Sequence, residues 1–192
     1  MTIKTIDKPI IRSKETPRQI IFEDYKSLNG ELPIGGGWGY TKDDAVIIDK
    51  NDPVVPKGLP FNGVSIEYIF VEKRIYEELI IFRLLGEPYA GIRWNQIEQS
   101  LESHDGKHYD VLSYKVTAFS ESDWNELKEE WESNDFFKDS PESLHAHEEK
   151  RVSKMISYKT EYWFDISSFF GMASINLDDK DNPFGINYDD IP

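Results

Sequence analysis

Residues 92–119 read IRWNQIEQSLESHDGKHYDVLSYKVTAF, two arms that flank the turn-rich segment HDGK at 104–107. Asp105-Gly106 is a hairpin signal, because a two-residue loop matched to strand twist needs positive φ at both centres and these residue types tolerate it. In the second arm Leu112, Tyr114, Val116 and Ala118 recur at every second position and therefore share one face. A long antiparallel hairpin is expected, with arms near 92–101 and 109–119.

Working outward, RQIIFEDYK at 18–26, the run Ala45–Ile48 and VSIEYIFV at 64–71 read as further strands, the last because Ile66, Tyr68 and Phe70 alternate with Ser65, Glu67 and Ile69. Pro53, Pro56 and Pro60 forbid regular structure between 51 and 60. From Glu72 the period lengthens. Ile75, Leu79 and Phe82 cluster on one side of a helical wheel while Lys73, Arg74, Glu77 and Glu78 point elsewhere, so a helix is expected over 72–84. Ser120 followed by Asp123 resembles a capping box, and Trp124, Leu127 and Trp131 form the apolar stripe of a helix over 121–134. A second helix is expected near 142–154 and a final aromatic-rich strand near 156–166. The fold class is therefore α+β: a single domain, mostly antiparallel sheet, helices packed on one face. Residues 1–17 read as a loose leader, 18–175 as the domain and 176–192 as an acidic extended tail.

Composition removes several function classes. The 192 residues include no cysteine, so disulfides, thiolate metal sites and cysteine nucleophiles are out, which fits a reducing, cytoplasmic location. The longest apolar runs are only four residues, Ala45–Ile48 and Leu79–Phe82, against the roughly 20 a membrane helix needs. With 36 acids against 22 bases and a net charge of −14, a phosphate backbone is repelled and cationic partners are attracted.

Motifs for chemistry are sparse. The glycines at 35, 36, 37 and 39 suggest a phosphate cradle, but GxGxxG fails at Tyr40 and no Gly-Lys-Ser/Thr follows. A tight turn that inserts Trp38 into the core is one reading; a partner-binding loop presenting Trp38 and Tyr40 is the other. His104, His108, His145 and His147 form no HExxH, the tail aspartates miss the calcium-loop pattern, and GxSxG is absent. No catalytic residue, metal ligand or cofactor is expected.

What remains is charge placement. Residues 121–149 hold eleven acids against Lys128 and Lys138, and with the tail they account for −13 of the −14. Glu126, Glu129, Glu130 and Glu132 would steer and pair with cations, with Trp38 and Tyr40 as accessible aromatic anchors. The plain alternative is a solvated helix face.

With LPIGGGWGYTKDDAVIID at 32–49, YWFDISSFFG at 162–171 and clustered Glu, Tyr and Trp, this acidic, cysteine-free chain resembles the immunity proteins of bacterial polymorphic-toxin and contact-dependent-inhibition systems. The resemblance implies a non-enzymatic protein that neutralises a basic protein, a toxin domain, by imitating nucleic-acid charge. The competing expectation is a small hydrolase or ligand-binding enzyme with its pocket beside residues 35–39. Either apolar strand edge could also pair in a homodimer.

Overall fold

A computed structural model describes residues 3–83, 86, 88–138 and 140–172. The protein is α+β. Its elements run β1 (Lys4–Thr5), α1 (Pro17–Asp24), β2 (Ile34–Gly36), β3 (Val46–Ile48), α2 (Gly63–Tyr76), β4 (Tyr89–His104), β5 (Lys107–Ser120), α3 (Glu121–Ser133), α4 (Pro141–Lys154) and β6 (Ile156–Asp165). The mostly antiparallel sheet has the order β2-β3-β6-β5-β4, and β1 also pairs with β6. β3 and β1 run parallel to β6, in the registers Val46 with Phe164 and Lys4 with Ile156.

The hairpin is as expected: Asp105 and Gly106 take φ of 52° and 79°, and Leu112, Tyr114, Val116 and Ala118 are all buried. Of the other expected strands, Ala45–Ile48 is found as β3, whereas 18–26 and 64–71 behave differently. Residues 18–26 hold α1 rather than a strand. Thr16 and Gln19 form a complete capping box, and Pro17 presets the first helical φ, so T-P-R-Q is the signal that decides the segment.

Residues 64–71 are likewise helical, within α2. The Asn62 side chain accepts from the Ser65 amide at 3.1 Å and starts the helix. The apparent alternation fails at Tyr68, which is exposed, while Ile66, Ile69 and Phe70 are buried at helical spacing. The helix ends in a π-helical turn over Glu77–Ile81, where the Phe82 amide donates to the Glu77 carbonyl at 2.7 Å. Arg74, Glu77 and Glu78, expected to point away from the core, are fully buried. Polar residues on the inward face are what disguised this helix.

Residues 3–17 are not merely a leader: β1 is tied down where the Lys4 and Ile6 amides donate to the Met155 and Ser157 carbonyls, and Ile11 is buried. The acidic tail at 176–192 lies outside the described residues.

The described residues group into two compact units, 3–12, 74–100 and 111–162 in the first and 13–73, 101–110 and 163–172 in the second. In the first, Ile75 and Leu79 share a core with Leu112, Tyr114, Tyr158 and Tyr162. In the second, Phe70 lies between Trp38 and Phe164, with ring separations of 6.1 and 5.7 Å.

Candidate functional site

The acidic helix α3 begins where sequence places it, with Ser120 Oγ accepting from the Asp123 amide at 3.2 Å. Its apolar stripe docks inward. Leu127 is buried, Trp124 lies against Phe119 at 5.5 Å, and Gly91, at φ 58°, makes room for it, since a Cβ there would come within 2.5 Å of the Trp124 ring.

The acids of α3 divide by helical angle. At 100° per residue Asp123, Glu126 and Glu130 fall on one side, and α4 meets them with two lysines. Lys154 Nζ stands 2.5 Å from Asp123 and 2.6 Å from Glu126, while Lys150 bonds Glu126 at 2.8 Å and also Glu130. Hydrogen bonds from Lys150 and Lys154 hold the Glu126 carboxyl down at about 2, and the same lysines depress Glu130 and Asp123. Glu121, Glu129 and Glu132 lie on the other side and are exposed, Glu132 reaching only Lys128 at 3.9 Å. Two of the four expected steering residues, Glu126 and Glu130, are thus matched internally; Glu129 and Glu132 are not met by α4.

Trp38 and Tyr40 are not accessible anchors. They are 6 % and 9 % exposed and belong to the core, because the glycines around them bring the backbone against β3. A Cβ on Gly37 would sit 1.7 Å from Asp44 Oδ1, and the Gly39 amide donates to the Asp44 carbonyl at 2.6 Å. The space beside Gly37 is taken by the Asp44 carboxylate.

Comparison with family models, curated proteins and solved structures returned no match. The chemistry must be read from the chain alone.

Three features escaped the sequence reading. The first is a buried ionic network on α2. Arg74 donates to Glu78 at 2.8 Å, to Thr160 Oγ1 at 2.7 Å and to the Glu161 carbonyl at 3.0 Å, and lies 4.0 Å over the Tyr162 ring. Tyr158 donates to the other Glu78 oxygen at 2.9 Å, and burial together with the Glu78 charge pushes its hydroxyl pKa up. Arg74 and both Glu78 oxygens are thus hydrogen-bonded, which gives the first unit a specific rather than an oily centre.

The second is Glu67, 2 % exposed, whose carboxyl is pushed up to about 8 by burial and by the nearby charge of Asp110. No spacing rule could have joined these two residues, which stand on α2 and β5.

The third is the turn after α3. Asp135, Phe136 and Phe137 take φ of 47°, 61° and 53°, three successive left-handed residues without a glycine. The conformation costs about 1–2 kcal/mol per residue. Phe137 packs inward with Trp131 and His147, at ring separations of 5.8 and 5.0 Å, whereas Phe136 is turned outward and is 45 % exposed. His147 is thereby buried beside aromatic rings, with Nδ1 3.6 Å from Glu130. Among the described residues no group of three or more His, Asp or Glu is placed to hold a metal ion, and no helix is long and apolar enough to cross a membrane.

Proposed function

We propose that this chain is a non-enzymatic binding protein that neutralises a basic protein partner, as the immunity proteins it resembles do. One observation carries the reading. Asp123, Glu126 and Glu130 are each given a lysine from α4, while Glu121, Glu129 and Glu132 on the same helix are left facing solvent. Charges held at a rim in this way act on encounter rate and partner choice more than on fold stability. Across α3, α4 and their connection eleven acids face five bases, so the surface stays anionic after the internal pairing. The hydrolase alternative draws no support from residues 35–39, where Asp44 fills the space beside Gly37 and β3 backbone closes on Gly36.

The test uses the product of the reading frame adjacent to the gene for this chain, purified in an inactive form. Stopped-flow association is measured over a salt series for wild type and for the triple variant Glu121→Gln, Glu129→Gln, Glu132→Gln. The expected result is an association rate about tenfold lower at low salt, with a flatter salt dependence and an unchanged melting temperature. Equal rates and slopes for the two proteins, or no complex with that product, would overturn the reading.

A further inference from the structure

The turn that follows α3 carries a feature the acidic face does not explain. Phe136 is exposed although Trp131 and Phe137 lie beside it, and the backbone adopts three left-handed residues to hold it there. Strain of this kind persists where something other than stability selects it. The chain also displays, in itself, the chemistry the turn accepts. Lys138 Nζ lies 5.1 Å over the Phe136 ring and 3.0 Å from Asp135 Oδ1, so a cation is held between an aromatic face and a carboxylate. Beside it opens a depression of about 160 Å³ lined by Asn134, Asp135, Phe137, Lys138, Ser140 and Ser143.

We propose that this turn is the anchor subsite for an arginine side chain of the basic partner, with Lys138 as the internal cation that it displaces; the proposal rests on the acidic-binder reading above. The guanidinium stacks on Phe136, where a planar cation gains more than an ammonium, and forks to the Asp135 carboxylate. Asn134 and the serines at the foot of α4 offer oxygens to its remaining N–H donors. Glu129 and Glu132, on the preceding turns of α3, bring the cation in, and Phe136 supplies the aromatic contact that interface anchors require. Trp38 and Tyr40 cannot fill that role because they are buried.

The test titrates the full chain with a capped hexa-arginine peptide and, in parallel, hexa-lysine, following amide and indole shifts by NMR. Wild type is expected to bind the arginine peptide more tightly, with the largest shifts at residues 134–138 and at the Trp131 indole. Phe136→Ala lowers the affinity roughly five- to tenfold. Lys138→Ala opens the subsite and raises it roughly threefold, more than Lys128→Ala, which removes a like charge from α3. The proposal is overturned if Phe136→Ala binds as wild type does, or if Lys138→Ala and Lys128→Ala raise affinity equally. Should Glu129→Gln with Glu132→Gln weaken binding while Phe136→Ala does not, the anchor falls and the acidic-binder reading stands; if neither matters, both fall. Melting temperature of Phe136→Ala equal to that of wild type shows that its loss is a binding effect.

Discussion

Replacing Glu67 by Gln tests the buried carboxyl on α2 through its pH dependence. In the folded chain the group titrates at about 8, against 4.5 when it is free, because it is nearly inaccessible and faces the charge of Asp110. A raised acid pKa means the folded state holds a proton that the unfolded state has released. The cost is absent below pH 4.5, grows as pH rises towards 8, and levels off above it. The rise from 4.5 to about 8 is worth about 5 kcal/mol at the plateau and about 3 kcal/mol at pH 7. Gln keeps the shape and removes the ionisation, so the variant escapes the cost. Urea denaturation followed by circular dichroism at pH 5, 6, 7, 8 and 9 reads the difference directly. Wild-type stability should fall by several kcal/mol across that range, while the variant should stay nearly level and be the more stable protein at pH 9. The window is clear of Glu126, whose depressed carboxyl titrates at about 2 and contributes only in more acidic solution. Parallel stability curves for the two proteins would refute the argument that Glu67 is buried beside a charge.

Two further expectations concern the same helix and the turn after α3. Arg74→Ala should cost about 3–5 kcal/mol, since Glu78 would be left charged and fully buried, whereas Arg74→Met combined with Glu78→Leu should cost much less; urea midpoints for the single and double variants decide this. Asp135→Gly should stabilise the chain by about 1 kcal/mol by relieving one left-handed residue, read as a rise in melting temperature of a few degrees.

The parts of this fold that were legible are those whose residue types carry their own instruction. Asp105-Gly106 tolerates the φ its loop needs, the β5 side chains alternate from Leu112 to Ala118, and Ser120 caps the helix that its spacing announces. Helix α1 was legible too, through Thr16, Pro17 and Gln19, but a short apolar run of Ile20, Ile21 and Phe22 outweighed that signal. Helix α2 was hidden for a physical reason. A hydrophobic wheel assumes that charge faces water, and here Glu67, Arg74 and Glu78 face the interior because each is compensated by a partner or by a proton. The acids of α3 could be counted from sequence but not sorted, because their pairing depends on where Lys150 and Lys154 arrive from the next helix. Phe136 left no trace at all: nothing in Asn-Asp-Phe-Phe-Lys distinguishes a left-handed turn from an ordinary helix end.

Strand β6 lies between β3 and β5 in the sheet yet follows every other described strand in the chain. During synthesis, β3 and β5 therefore emerge with their joining partner still untranslated, and β1, the first of the described strands, waits through about 150 residues for its own. A nascent polypeptide stalled before Ile156 carries unpaired ladder edges, which invite aggregation. Closure of the sheet consequently waits for β6, and its rate is governed by long-range pairing.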